Sequence, residues 1–429
     1  MAESAVVLLS GHAPRRELGR GAFQEMAQSQ IAAPLTKASW TNESPDRIGA
    51  DVRRALAIAR AGRPGPVHVS MPTDCLEDAA QDSSRSEADE PTLAPDMDAA
   101  AIVGKLRAAK RPLVITGPIT LTKPGRARLA ILEAALGIPV VGMQSPRGIA
   151  DPSLGAFAEI LAQADLVLLL GKRLDFTLKF GKPPAFAADC EVLEAAMDTD
   201  VFMAIYTLLR AAQEHAPMKS SWLAEARSAI AYRPTAWDHA SSANPGRMHP
   251  VQALRPLQAL LDSSPDSVLV CDGGEIGQWA QACLAAPHRV INGVAGSIGA
   301  ALPFAVAARL AKPDVPIVAV MGDGTFGFHP AEIDTAVRYK LAFVAMVGND
   351  ARWNAEYQIQ LREYGPGRTV ATELLPTRYD KVAEGFGGYG ELVVDPAQVA
   401  AAAQRAIASK LPAVLNTMID GVAAPVIRR

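Results

Sequence analysis

The sequence predicts an α/β protein of three doubly wound, Rossmann-like modules with mainly parallel sheets, the first module incomplete. Three observations carry this expectation. Strand-length apolar runs alternate with stretches whose apolar residues recur at helical spacing, the pattern of βαβ units. Two polar, proline-bearing stretches, 81–95 and 233–250, break that alternation and read as linkers, leaving modules at 1–80, 96–232 and 251–429. Aromatic residues make up only 5% of the 429, while alanine is abundant, which suits helices packed on sheets through small side chains. A hydrophobic content of 49% is enough for two or three compact cores at this length.

In chain order, Ala5 to Leu9 reads as a strand ended by Ser10-Gly11-His12. Gly21 to Glu25 leads into a helical patch, with Glu25 as a first-turn residue that complements the helix dipole and Gln24 as an exposed helix-start residue. His12 is an acid-base candidate or, as readily, a surface-loop histidine. Ala50 to Ala61 is a helix with Val52, Leu56 and Ala59 on one face, and Pro66 to Ser70 a final strand closed by Pro72. Strands of a parallel sheet are buried on both faces, and a strand this close to the first residue has nothing before it to build that sheet. Residues 1–80 are therefore expected to be the back half of a domain.

Beyond the Ser-rich acidic linker, Pro112 to Ile115, Pro139 to Met143 and Leu166 to Leu170 read as strands and Arg126 to Leu136 as a helix. The Gly-x-Gly-x-x-Gly fingerprint of dinucleotide sites is absent from this module. In the last module, Ser267 to Cys271 is a strand ending in Asp272-Gly273-Gly274-Glu275-Ile276, flexible backbone that can turn N–H groups toward a phosphate. Gly293 to Ala305 sets small residues ahead of a helix whose N-terminus favours an anion. Glu391 to Val394 and Ala413 to Met418 are further strands, and Ala397 to Ile407 a helix.

The most informative stretch is 317–364. Ile317 to Met321 reads as a buried strand ending in Gly322-Asp323-Gly324, a turn that lets the backbone approach a ligand. Pro330 suits the first turn of a helix carrying Ile333, Ala336, Val337 and Leu341, and Ala342 to Val347 returns to the sheet and ends at Asn349-Asp350. The 27 residues from Asp323 to Asp350 span one βαβ unit, which leaves two acids at one sheet edge. Mg²⁺ takes one or two carboxylates and completes its octahedron with phosphate oxygens, and the carboxyl ends of parallel strands are where such folds bind ligands. Alone, Gly322-Asp323-Gly324 reads equally well as a plain turn; the second acid at matching spacing favours the ion.

A net charge of −3 gives no electrostatic case for nucleic acid or anionic membrane. Cys75, Cys190, Cys271 and Cys283 have no metal or redox spacing and suit a reducing compartment. No apolar run reaches the ~20 residues of a membrane span, and the first residues lack a signal-like core. A soluble cytoplasmic protein without nucleic-acid or membrane partners is expected.

Gly322-Asp323-Gly324-Thr325-Phe326-Gly327-Phe328, the helix after it and the strand ending in Asn349-Asp350 resemble the cofactor signature of thiamine-diphosphate enzymes, in particular the acetolactate synthase-like family. That signature is a Gly-Asp-Gly followed after a fixed interval by Asn-Asn, so Asp350 departs from it by one negative charge. The stretch 168–184 is similar to the central domain of oxalyl-CoA decarboxylases and 2-hydroxyacyl-CoA lyases, and 10–25 and 60–74 to the end of the family's pyrimidine-binding domain. The resemblance covers nearly the whole chain in order.

It implies thiamine diphosphate and Mg²⁺ as cofactors, with the metal on Asp323, Asp350 and the carbonyl of Arg352. Cofactor contacts would fall on Gly274, Glu275, Ile276, Gly296, Ser297, Ile298, Gly322, Asp323, Gly324, Thr325 and Asp350, with Ile298 wedged under the thiamine. The family has Gln and His where Glu275 and Ile276 stand. Gln24 would face the reacting carbon, and Trp353 and Gln358 the substrate, although Trp353 reads as readily as a packing anchor. Arg173, Lys179 and Lys182 would meet nucleotide phosphates in members that hold FAD or ADP in the central domain, or else lie on a solvated loop. The glutamate that protonates the aminopyrimidine precedes the first residue here. The activity implied by the resemblance is that of a carboligase or decarboxylase of a 2-oxo acid or acyl-CoA-type donor, working as a homodimer or homotetramer. The alternative is a truncated, non-catalytic homologue that keeps the Mg²⁺-diphosphate site.

Overall fold

Every pair of neighbouring strands in the three sheets of the computed structural model runs parallel, as the βαβ alternation predicts. The structure describes residues 2–81, 97–293 and 295–429. The linker expected at 81–95 therefore lies, apart from Gln81, outside the described residues. The chain forms two compact units, one of Met1–Met143, Ala164–Leu174 and Asp189–Ser220, the other of Gln144–Gln163, Asp175–Ala188 and Ser221–Arg429.

The first unit holds two sheets. One has the order β1-β3-β2, from β1 (Val7–His12), β2 (Ala38–Thr41) and β3 (Val67–Pro72). Its middle strand β3 is buried throughout, whereas the edge strand β1 leaves Leu8 and Leu9, which point to opposite faces, 54% and 51% exposed. The other has the order β5-β4-β6-β7, from β4 (Pro112–Thr116), β5 (Val140–Gly142), β6 (Leu166–Leu170) and β7 (Glu191–Ala195). Its strands β4 and β6 are wholly buried and apolar apart from Thr116, as strands covered on both faces must be.

Two expectations for this unit fail for local reasons. Glu25 does not open a helix; its carboxylate accepts the N–H groups of Gly19 and Ala22 and closes a loop shaped by Gly19 and Gly21 at φ near +77° and +76°. The helix starts only at Gln28 and lasts to Ala32. His12 is no surface histidine: it is buried, with its ring nitrogens on the carbonyls of Ala13 (3.1 Å) and Met26 (2.9 Å).

The second unit is built on six strands in the order β12-β13-β11-β10-β8-β9: β8 (Val268–Cys271), β9 (His288–Ile291), β10 (Ile317–Gly322), β11 (Val344–Asn349), β12 (Tyr389–Val393) and β13 (Ala413–Met418). Alternate residues of β10 and β11 serve opposite faces. Val318, Val320, Val344 and Met346 pack with Leu254, Leu257 and Trp279, while Ala319, Met321, Ala345 and Val347 pack with Ala301, Leu302 and Ile333. After β8 the chain turns outward to β9, then returns past β8 to β10 and continues the other way. That reversal opens a crevice at the carboxyl ends of β8 and β10, where α/β sheets bind ligands. Among the described residues no helix is long and apolar enough to cross a membrane.

Candidate functional site

Gly322 of β10 pairs with Gly348 of β11, so the two strands release their chains almost level. Asp323 comes next, not in an open turn as expected but as the first residue of a one-turn helix, Asp323–Phe326. Its carboxylate accepts the N–H of Gly324 (2.9 Å) and that of Arg352 (3.2 Å). The same Arg352 N–H donates to Asp350 (3.1 Å), so one amide draws both carboxylates to one place. Asn349 faces elsewhere: its amide donates to Thr377 and Asn416, which leaves Asp350 as the acid of this pair that serves the site.

Both acids are buried, at 2% and 8% exposure. Burial pushes Asp323 up to about 6, and burial together with the neighbouring charge of Asp323 pushes Asp350 up to about 7. Two ionised carboxylates this close repel unless a cation lies between them. The donor set therefore fits a hard divalent ion: two carboxylates with acceptor capacity to spare, in a cavity with room for oxygens from a ligand. Among the described residues no group of three His, Cys, Asp or Glu converges, so the shell would be finished by backbone and ligand oxygens, the usual arrangement for Mg²⁺.

The cavity has a volume of about 360 Å³, within the range of small-molecule sites. Gly274, Glu275, Ile276, Gly296, Ile298, Gly322, Gly324, Thr325 and Arg352 line it together with the two acids. Two glycines give it its width. A Cβ at Gly273 would run into Ile298, and one at Gly324 would meet the ring of Trp353 at 2.7 Å. Trp353 is thus both a wall of the cavity and a packing partner, edge-on to Phe328 at 5.9 Å.

The helix N-terminus expected to favour an anion holds one that belongs to the chain itself. Asp272, the residue after β8, accepts the N–H groups of Gly299 (3.1 Å) and Ala301 (2.6 Å) at the start of the helix Ala301–Ala311, and its own neighbour Gly273 (2.6 Å). A carboxylate from the adjacent strand supplies the charge the helix dipole attracts. Glu275 opens the helix Glu275–Cys283, buried, with Gln278 donating to it at 3.0 Å and the Arg147 guanidinium forming an ion pair with it at 3.8 Å. Burial raises its pKa.

Other expected residues fall elsewhere. Ser297 is exposed and does not line the cavity. Gln24 belongs to the first unit, exposed at φ +60°. Gln358 donates to Gly421 (2.9 Å) and Asn354 (3.1 Å), holding the last residues of the chain rather than facing a ligand. Arg173 lies in the first unit, 3.8 Å from Asp198, while Lys179 and Lys182 lie in the second, so they do not form one phosphate-binding group within either unit. Arg147, Asp272 and Glu356 line the cavity although the sequence did not point to them as cofactor contacts. Only Asp272 carried a signal, its place at a strand end beside glycines.

Residues 272–417 match the thiamine pyrophosphate enzyme, C-terminal TPP binding domain, and residues 99–208 the thiamine pyrophosphate enzyme, central domain. The chain is 32% identical over 445 residues to a probable acetolactate synthase of Mycobacterium bovis, covering 97% of this chain and 80% of that protein. It is 27% identical to a 2-hydroxyacyl-CoA lyase of Arabidopsis thaliana, with 97% and 80% covered. It is 26% identical to an oxalyl-CoA decarboxylase of Escherichia coli, with 97% and 79% covered. In fold it resembles a thiamine diphosphate-dependent 4-hydroxybenzoylformate decarboxylase of Rhodococcus jostii RHA1, with a TM-score of 0.79 at 19% identity over 98% of this chain and 84% of that one.

Proposed function

The chain belongs to the thiamine pyrophosphate enzyme family, and on that premise we propose that it is a thiamine-diphosphate- and Mg²⁺-dependent carboligase or decarboxylase of acetolactate synthase type, acting on a 2-oxo acid or acyl donor. The observation that carries the reading is the single Arg352 N–H shared by the carboxylates of Asp323 and Asp350. Those two acids and the Arg352 carbonyl would hold the metal. The glycines at 273, 274, 322 and 324 would leave room for the cofactor beside them, with Ile298 and Trp353 as its apolar walls.

When bound, the cofactor supplies the carbon nucleophile that takes up the 2-oxo acid or acyl group. The chain's own contribution is placement and charge. Asp323 and Asp350 would hold a cation at the ends of β10 and β11, where its charge would offset that of a diphosphate. Trp353 over Gly324 narrows access of water to the acids. We assign Gln24 to a site completed by a second copy of the chain, in a homodimer or homotetramer, where its amide would hydrogen-bond a substrate oxygen. Modules at 1–80, 96–232 and 251–429 and a cytoplasmic setting belong to the same reading.

Thermal unfolding tests it. The protein gains stability with Mg²⁺ and thiamine diphosphate together and not with either alone; an unchanged unfolding temperature with both sinks the assignment. Release of CO₂ from 2-oxo acids then separates an enzyme from a protein that binds the cofactor without turnover.

A further inference from the structure

The loop 292–300 carries Ile298 into the cavity with little regular structure of its own. Ala295, Gly296 and Ser297 are exposed, and among the described residues of the loop a turn bond runs from Gly296 to Gly293 at 3.1 Å. A side chain on such a loop occupies a fixed position only if something outside the loop holds the backbone.

Two side chains do so at Gly299, Asp272 from the end of β8 and His329 from the turn after the helix Asp323–Phe326. Its N–H donates to Asp272 at 3.1 Å, and its carbonyl accepts Nδ1–H of His329 at 2.8 Å. Because a carbonyl only accepts, the second bond requires the proton on Nδ1. Gly299 sits at φ +102°, a conformation reserved in practice for glycine, and a Cβ there would come within 2.8 Å of Phe328 and 3.3 Å of His329. Asp272 is 4% exposed and adds the Ala301 N–H at 2.6 Å, so its position is itself settled. The side chain of Ile298, one residue before this grip, lies against Gly273, where a Cβ would collide with it.

We propose that Asp272 and His329 are positioning residues that grip Gly299 from its two sides and so hold Ile298 against Gly273, where it sets the fit of the apolar body of the cofactor rather than of its metal-bound diphosphate. The proposal rests on the functional reading above, and it divides the site by task. Asp323 and Asp350 hold the ion. Asp272, though an acid at the same sheet edge, spends its acceptor capacity on backbone N–H groups and acts through Ile298.

The test compares two probes in the presence of Mg²⁺, inorganic pyrophosphate and thiamine diphosphate, each titrated against the full chain by the fluorescence of Trp353 and the other tryptophans. Wild type takes up both. His329→Ala weakens thiamine diphosphate about tenfold, the loss of one ordinary hydrogen bond, and leaves pyrophosphate within about twofold of wild type. His329→Asn, whose amide N–H reaches the place of Nδ1, restores most of the affinity, a rescue that general loosening of the fold does not give. Asp272→Asn puts an amide N–H among donors and lowers thiamine diphosphate binding further, with pyrophosphate again less affected. Equal losses on both probes, or no loss with thiamine diphosphate in His329→Ala, overturn the proposal. Failure of wild type to take up either probe overturns the functional reading and the proposal with it.

Discussion

The four-stranded and six-stranded sheets are both parallel, and both release their strands into glycine-bearing turns, yet their carboxyl edges differ. In the first, the turn after β4 is closed from within. The carboxylate of Glu3 accepts the N–H of Ile119 (2.8 Å) and Nε–H of Arg63 (2.9 Å), and a Cβ on Gly117 would meet Glu3 at 2.6 Å. The space left there is about 150 Å³. At the other edge Asp323 and Asp350 share one N–H, and about 360 Å³ stands open beside them. A carboxylate offers about four acceptor positions. An edge whose acid faces a guanidinium of the chain, with little room beside it, is structure; one whose acids accept only backbone N–H groups, with room alongside, has the makings of a ligand site.

The largest effect that sharpens this contrast comes from Asp323→Ala. Removing a proposed metal ligand is expected to abolish the proposed stabilisation by Mg²⁺ plus thiamine diphosphate, which at a hundredfold excess over Kd would be on the order of 5 °C for domains of this size. Asp350→Asn keeps an oxygen in place, sheds a charge beside Asp323 and retains the shift or enlarges it. Parallel melting curves of the two variants check the pair, and a lost shift in Asp350→Asn breaks the equivalence of the two acids as ligands.

The open edge was readable because its signals are local. Apolar runs marked β6 and β13 to the residue, and the polar ends of β10 and β11 could be counted along one βαβ unit. The closed edge was not, because Glu3 and Ile119 stand 116 residues apart and nothing in the neighbourhood of either marks the contact. Asp272 was half legible. Its strand-end position was visible, but its capture of the helix start at Ala301 depends on how β8 and the loop 292–300 meet in space. Glu25 and Ser297 failed similarly, since a loop closed by a side chain and a loop tip turned to solvent have no periodicity to betray them.

A smaller effect separates the edges by pH. Asp323 and Asp350, pushed up to about 6 and about 7, bind protons in the folded protein that the unfolded chain releases at the ordinary carboxylate pKa near 4. Their contribution is therefore fully present below about pH 4 and lost as pH rises through about 7. Metal-free protein loses stability from this pair across that window. If the proposed function holds, Mg²⁺ with the diphosphate cofactor would replace the protons, and the gap between loaded and metal-free melting temperatures is expected to widen as pH rises from about 5 to about 8. A gap that stays constant would mean that the acids do not exchange protons for the ion.

The smallest effect belongs to the closed edge. Glu3→Gln keeps one acceptor for the Ile119 N–H but removes the charge facing Arg63, a largely buried partner, at a cost of roughly 1–3 kcal/mol. A modest drop in melting temperature is expected, with no change in the response to Mg²⁺ and thiamine diphosphate. ADP and FAD should leave the variant's melting curve unmoved, because a space of about 150 Å³ is below the roughly 300 Å³ at which small-molecule pockets begin, and removing a charge does not enlarge it. If either nucleotide stabilises Glu3→Gln and not the wild type, Glu3 is a plug on a working site, and the two edges differ in occupancy rather than in kind.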